Sequence, residues 1–395
     1  MLRISTIFAI IIFAIFFIHF TFFSQVYSRL TQMRITVGMV VILFIILSVP
    51  YIQDSYFNWP HPLVFKLAKA ISLLYLGFVS FLLFLSREEA RKVFLFFDSS
   101  LGKPLVEFDY AQSCDIYTPN DPTSNFRNVK NVVLDVYVLA HLLGWFVKTL
   151  IFRDIVMLWG ISIVFEFLEI TFQHLLENLS ECWWDHIIVD ALGCNAIAMF
   201  VGMWVIKKAK LQKFHWFGHT IENENEKDNQ QKSKPRFLSL SWFSQTWKNY
   251  HWDMFDSPKK FFAAIFLFSF AEISELNVFF MKYPLWIPPE HPLNPIRLII
   301  FALSGVETIK EFYEYINTPN SKYHFQMYIS FLVVIIETIL GIKFGQGLYP
   351  RNMPTYIRNS WIIFFLVFGT SSFIHFYRKN KSLEKTSPKN PKEKF

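Results

Sequence analysis

Charge is scarce in this chain. Asp, Glu, Lys and Arg make up 17% of its 395 residues, against about 25% in an ordinary soluble domain. Hydrophobic residues make up 53%, aromatic residues 19%, and Phe alone occurs 47 times. So little polar material cannot cover a water-facing surface of this size. Cysteine is scarce too. The three, Cys114, Cys182 and Cys194, form no CxxC pair, so spacing gives no reason to expect a zinc site. Their odd number leaves at least one thiol free or joined to another chain. No internal repeat is visible, whereas transporters are often built of repeated halves.

What the chain has instead is long apolar runs. A membrane-crossing helix needs about 20 mostly apolar residues. About ten such runs occur, near 4–24, 36–52, 67–86, 132–151, 155–176, 187–206, 260–281, 296–316, 325–345 and 359–377. The expected fold is therefore all-α, a polytopic membrane protein with about ten transmembrane helices. The first run is long for a signal-peptide core and no small-residue cleavage site follows it, so it is expected to remain as a span.

The formal net charge of +7 is concentrated in 207–260 and in the tail after Arg378. Both segments are polar and read as solvated, flexible chain, which argues against a nucleic-acid partner. The positive-inside rule places both in the cytosol, and the four spans between them allow it. Ten spans put the N-terminus on that side and the basic loop 87–131 on the other, against the rule, which loops of that length follow less strictly. The organisation expected is N-terminal spans in 1–59, a membrane domain in 60–378 that includes a basic polar loop at 207–259, and a basic flexible tail at 379–395.

Ionisable residues inside spans are costly and mark functional positions by default. Most lie between His141 and Asn195. From 155 to 206 there is no Lys or Arg, yet the stretch holds six acids: Glu166, Glu169, Glu177, Glu181, Asp185 and Asp190. Such acids must be protonated, paired with a base from another span, or compensated by a bound cation. Glu166 and Glu169 share a helix face, extended by Ser162 and Gln173. Glu181 and Asp185 stand four apart at the entry to the next span, with Asp190 and Asn195 deeper. Carboxylates with an amide oxygen suit a hard cation, calcium better than zinc. Glu177 reads as a solvated loop residue. His141 lies mid-span with Lys148 two turns on; it is either a packing residue or a base beside an anion site. Lys148 and Arg153 are candidates for phosphate contacts, or for cations reaching to lipid headgroups. Glu272, Glu275, Glu307 and Glu337 can equally be helix-pairing acids. Asn178 opens an Asn-Leu-Ser glycosylation sequon wedged between two spans, where use is not expected.

Several stretches carry a resemblance. They are PHPLVFKLAKAISLLYLGFVSFLLFL from Pro60, AHLLGWFVKTLIFR from Ala140, ISIVFEFLEITFQHLLENLSECWWD from Ile161, VDALGCNAIAMFVGM from Val189, SELNVFFMKYPLWIPP from Ser274 and IKFGQGLYP from Ile342. In order and wording they resemble the eukaryotic base-exchange phosphatidylserine synthases of the endoplasmic reticulum. The element LLxNxxECWWD is the most specific. The loop IYTPNDPTSNFRNV and the LWIPP segment look closer to plant-type members. The chain departs from the family pattern at Glu177, where the family has Pro, and at Asn195-Ala196, where it has Asn-Gly or Asn-Trp.

The resemblance implies an integral membrane transferase that exchanges the headgroup of phosphatidylethanolamine, or phosphatidylcholine, for L-serine. It makes His141 the essential histidine and Glu166, Glu169, Asn178, Glu181, Asp185 and Asp190 the essential acidic and amide positions around calcium. Lys148, Arg153 and Asn195 are then expected at phosphate or serine, and a homodimer is a possible assembly. The serine hydroxyl would attack phosphorus directly, or through a phosphohistidine. The DGxxAR…GxxxDxxxD signature of CDP-alcohol phosphatidyltransferases is absent. The rival from outside enzymology is a divalent-cation transporter lined by the same acids.

Overall fold

The computed structural model describes residues 28–52, 62–105, 113–119, 124–208, 252–317, 324–349 and 352–386, with the isolated residues Ile15, Ala111 and Trp216. In chain order these form α1 (Arg29–Ser48), α2 (Pro62–Leu82), α3 (Arg87–Phe97), α4 (Arg127–Val133), α5 (Val136–Phe152), α6 (Ile155–Phe172), a 3₁₀ turn at Glu177–Leu179, a π-helical segment at Asp185–Asn195 running into α7 (Ala196–Lys208), α8 (Pro258–Leu285), α9 (Leu293–Asn317), α10 (Phe325–Gly345) and α11 (Thr355–Thr386). No strand occurs among the described residues, as the composition implied.

Seven of these elements are long and apolar enough to cross a membrane: α1, α2, α6, the π segment with α7, α8, α10 and α11. The bent pair α4 and α5 makes an eighth. The expected count of about ten is not reached, for two reasons. The run 4–24 lies outside the described residues, Ile15 apart. The run 296–316 does form a helix, α9, but Arg297, Glu307, Lys310, Glu311 and Glu314 make it too polar to count as an apolar span.

Helix boundaries follow local chemistry. Ser86 and Glu89 make a reciprocal capping box at α3, satisfying two of the donors that a helix start leaves open. Asp154 caps α6 by accepting from Val156 N and Met157 N. Ser257 caps α8 with Pro258 in the first turn, and α8 ends where Trp286 turns left-handed at φ 58°.

The helices alternate between two ends. At one end α3 ties the ends of α8 and α10. Its Arg91 donates to Pro284 O and stacks on Trp286, and Arg87 donates to Phe344 O at the end of α10. At the other end Lys379 of α11 donates to Phe255 O before α8, and Trp216 donates to Phe152 O after α5. Two apolar cores match these ends. Val79, Leu82, Phe94, Leu285 and Phe344 form the first; Phe152, Trp216, Trp252, Phe261 and Phe312 belong to the second, larger one.

The surface is inverted relative to a soluble protein. Ile187 and Leu192 on the π segment, Phe200 and Trp204 on α7, and Phe365 and Leu366 on α11 are exposed, while Glu337, Gln326 and Asn195 are fully buried. That is the arrangement expected when the solvent is lipid. α5 and α7 approach closely. A Cβ at Gly202 would lie 2.6 Å from Thr149 Cγ2, so only glycine fits there.

Candidate active site

The polar centre is built where α5, α6 and the π segment meet. α6 supplies Ser162, Glu166 and Glu169, all buried, on one face because their spacing is three or four. The π segment supplies Asp185, His186, Asp190 and Asn195. Asp185, Asp190 and Asn195 are five apart. In an ordinary helix five residues turn about 140° past a full circle, which would scatter them. In a π-helix each N–H bonds five residues back, so residues five apart stack. Gly193 is suited to the widened turn: a Cβ there would approach Ile188 O, five residues back, to 3.0 Å. The loop before the segment adds Glu181.

Asn195 is the hub. Its Nδ2 donates to Ser162 Oγ at 2.7 Å and to Glu166 Oε1 at 3.2 Å. Its Oδ1 therefore faces His141, and accepts from His141 Nε2 at 2.6 Å. This fixes the imidazole tautomer: Nε2 carries the proton and Nδ1 the lone pair. Asp190 Oδ1 stands 3.9 Å from the same Nε2.

His186 sits among the acids. Its Nδ1 is 3.1 Å from Glu166 Oε2, 3.6 Å from Glu181 Oε2 and 3.7 Å from Glu169 Oε2. Two groups of potential ligands result, Glu166–Glu169–His186 and Glu181–Asp185–Asp190, each with ligand atoms within 4.8 Å of one another. Glu169 Oε2, Glu181 Oε2 and His186 Nε2 are buried and make no hydrogen bond. Burial, and then the charge of Asp190, push the Glu181 carboxyl well above its ordinary range. A buried cluster so rich in acid, with ligand atoms left over, fits a divalent cation. The carboxylates suit a hard ion, and His186 adds one nitrogen donor. The side chain of Asn178 lies outside the described residues.

Not every candidate gathers here. Arg153 ends α5, and its Nε donates to Leu150 O. It is twelve residues from His141, about 18 Å along the helix, near Trp216 at the opposite end. Burial lowers its guanidinium to about 10. Lys148 points to α8, where it pairs with Glu275 at 2.7 Å and lies over Trp145. Glu307 pairs with Lys69 at 3.4 Å and Glu337 with Arg297 at 2.6 Å, so these three acids join helices. Cys114 and Cys182 form a disulfide, leaving Cys194 free and buried. His186 is absent from the sequence-derived set, although it follows directly on the WWD element.

A helical membrane protein that sets a part-buried, hydrogen-bonded histidine beside a nest of carboxylates has the layout of a membrane-embedded enzyme. The chain belongs to the phosphatidylserine synthase family: residues 60–345 match the family model described as Phosphatidyl serine synthase. It is 34% identical over 304 residues to CDP-diacylglycerol--serine O-phosphatidyltransferase 1 of Arabidopsis thaliana, covering 76% of this chain and 70% of the relative. It is 32% identical over 326 residues to Phosphatidylserine synthase 2 of Homo sapiens, covering 82% and 65% respectively. The protein is thus a transferase of phosphatidylserine synthesis, acting by phosphatidyl transfer in a membrane, and nothing in these relationships supports the transporter reading.

Proposed function

We propose that this enzyme makes phosphatidylserine by calcium-dependent base exchange, replacing the headgroup of phosphatidylethanolamine, or of phosphatidylcholine, with L-serine in the endoplasmic reticulum membrane. The observation that carries the reading is His141, held by Asn195 against the acidic centre at 2.6 Å. The Arabidopsis relative's name specifies CDP-diacylglycerol as donor; the absent CDP-alcohol signature favours an intact phospholipid here.

The chemistry follows from the tautomer. As the serine hydroxyl oxygen attacks phosphorus, His141 Nδ1 takes its proton. A P–O bond to serine forms, the P–O bond to ethanolamine breaks, and the imidazolium returns the proton to the leaving oxygen. One phosphodiester replaces another, so no nucleotide is consumed. Asn195 holds the ring, while Ser162 and Glu166 hold Asn195. Glu166, Glu169, Glu181, Asp185, Asp190 and His186 would bind calcium, which when present supplies positive charge opposite the phosphodiester.

The test uses purified protein in liposomes with labelled serine and one donor at a time, without CTP. Phosphatidylethanolamine is expected to support incorporation with matching ethanolamine release, phosphatidylcholine less. His141→Ala should lose about 10²–10⁴-fold in rate. A requirement for CDP-diacylglycerol would refute base exchange. Calcium should raise the melting temperature, since a ligand present at a hundredfold excess over Kd stabilises by about 2.7 kcal/mol. Full activity and an unchanged melt in excess chelator would remove calcium from the proposal.

A further inference from the structure

The Cys114–Cys182 bridge joins segments 68 residues apart in sequence. One is the stretch 113–119 ahead of α4; the other is the loop that carries Glu181 into the π segment. The clamp has further contacts. Trp184 Nε1 donates to Cys114 O at 3.1 Å, and Asn128 Nδ2 donates to Ser113 Oγ and to Asp115 O. Glu181 and Asp185 thus flank a short loop tied at both Cys182 and Trp184.

The bridge also marks a side. Structural disulfides persist in oxidising compartments and are rare in the cytosol. From Asp185 beside the bridge to Lys208 is a 24-residue span, about 36 Å of helix, enough to cross a bilayer. At its far end stand Lys207 and Lys208, with Lys259, Lys260 and Lys379 close to the same end. By the positive-inside rule that end is cytosolic. Basic residues also occur at the bridge end. Lys92, Lys103, Arg127 and Lys130 are exposed there, but they are outnumbered by the eleven Lys and Arg of 207–260. Arg87, Arg91 and Lys343 donate to carbonyls of Phe344, Pro284, Leu83 and Leu85. They close helix ends, which accounts for their presence on that face. Two unrelated rules, one of redox and one of charge, then assign the same orientation. The centre lies in the bridge-side half of the bundle, since Glu166 and Glu169 are in the last turns of α6 and Asp185 opens the next span.

We propose that the acidic centre opens on the oxidising, non-cytosolic face of the membrane, and that the Cys114–Cys182 bridge is a positioning element that clamps the Glu181 loop over it. The serine and the cation would then arrive from that face. The proposal rests on reading this centre as the active site, but its first two tests need no activity.

In the first, membranes holding the full chain are dissolved in denaturant with excess polymer-linked maleimide, with or without prior reduction, and thiols are counted by gel shift. One reactive thiol is expected before reduction and three after; three before reduction overturns the bridge. In the second, single reporters Asn352→Cys and Lys381→Cys, at exposed positions at opposite ends, are introduced together with Cys194→Ser, which removes the native free thiol, and are probed in sealed vesicles whose outer face is cytosolic. Lys381→Cys should react with an impermeant maleimide in intact vesicles and Asn352→Cys only after permeabilisation. The reverse pattern overturns the orientation. The third is a double-mutant cycle on kcat. Cys114→Ser/Cys182→Ser should lower kcat about 10- to 100-fold, as misplacement of a site group does, but by less than about twofold in a Glu181→Gln background. Equal losses in both backgrounds would show a scaffold with no bearing on Glu181, and overturn the positioning role. Should the double serine variant not accumulate, reduction and alkylation of the purified enzymes supply the same comparison.

Discussion

Replacing Asn195 with Leu tests the site more sharply than deleting His141. Leu has a similar volume, so packing is roughly kept and the loss is of hydrogen bonds. Three partners are stranded: His141 Nε2 at 2.6 Å, Ser162 Oγ at 2.7 Å and Glu166 Oε1 at 3.2 Å. Asn195 is fully buried, so water does not readily replace the amide. Each stranded buried group costs about 1–3 kcal/mol. Ser162 can turn its hydroxyl toward its own helix, and Glu166 keeps His186. The net loss should therefore be about 3–6 kcal/mol, a large part of the roughly 5–15 kcal/mol that holds a typical domain together. A control with the same chemistry exists at Asn277. It is buried, donates to Val334 O at 3.1 Å and Glu337 Oε2 at 3.5 Å, and accepts from Thr338 Oγ1 at 3.2 Å. Its longer bonds put Asn277→Leu at about 2–4 kcal/mol. Both variants should melt earlier. They should differ in serine incorporation per folded molecule, measured on the monodisperse fraction below the melting transition. Asn195→Leu should fall about 10²–10⁴-fold, because the base loses its orientation and tautomer, and Asn277→Leu should stay within about twofold of wild type. Equal specific activities in the two variants would reduce Asn195 to a packing residue and remove the tautomer argument.

Two other perturbations probe the scaffold. Arg297→Met should cost about 3–5 kcal/mol by leaving Glu337 buried without its cation; adding Glu337→Leu should restore most of the melting temperature, and no recovery would show that the pair is more than a helix tie. Gly202→Ala should cost about 1–3 kcal/mol by driving Cβ into Thr149, and Thr149→Ala should recover only part, since Thr149 Cβ itself lies 2.7 Å from that position; a melt unchanged in Gly202→Ala would mean that α5 and α7 separate freely.

The spans and the acids were legible because burying charge in lipid is so costly that carboxylates stand out against apolar runs. The helix-pairing alternative for Glu275, Glu307 and Glu337 was legible too, but not their partners, since pairing joins distant stretches. His186 draws no notice in the sequence because it follows the WWD element at the entry to a span, whereas His141 stands out in the middle of one. Arg153 ends the helix that carries His141, and a sequence does not show that twelve residues of helix separate them by about 18 Å. A disulfide across 68 residues leaves no trace in local spacing. The relation among Asp185, Asp190 and Asn195 was hidden most completely, because an α-helical period sends them to different faces.

That last feature makes arithmetic, rather than residue type, the constraint on 185–195. Ile187, Ile188 and Leu192 point outward, and other greasy side chains could stand in their places. Adding one residue between Asp185 and Asp190 is a different matter. The turn is already widened to bonds five residues back, so it cannot absorb a sixth, and everything ahead of it would swing by about 70–80°, taking Trp184 away from the Cys114 carbonyl and Glu181 away from His186. The segment works like a gear with a fixed number of teeth, indifferent to material and intolerant of an extra tooth.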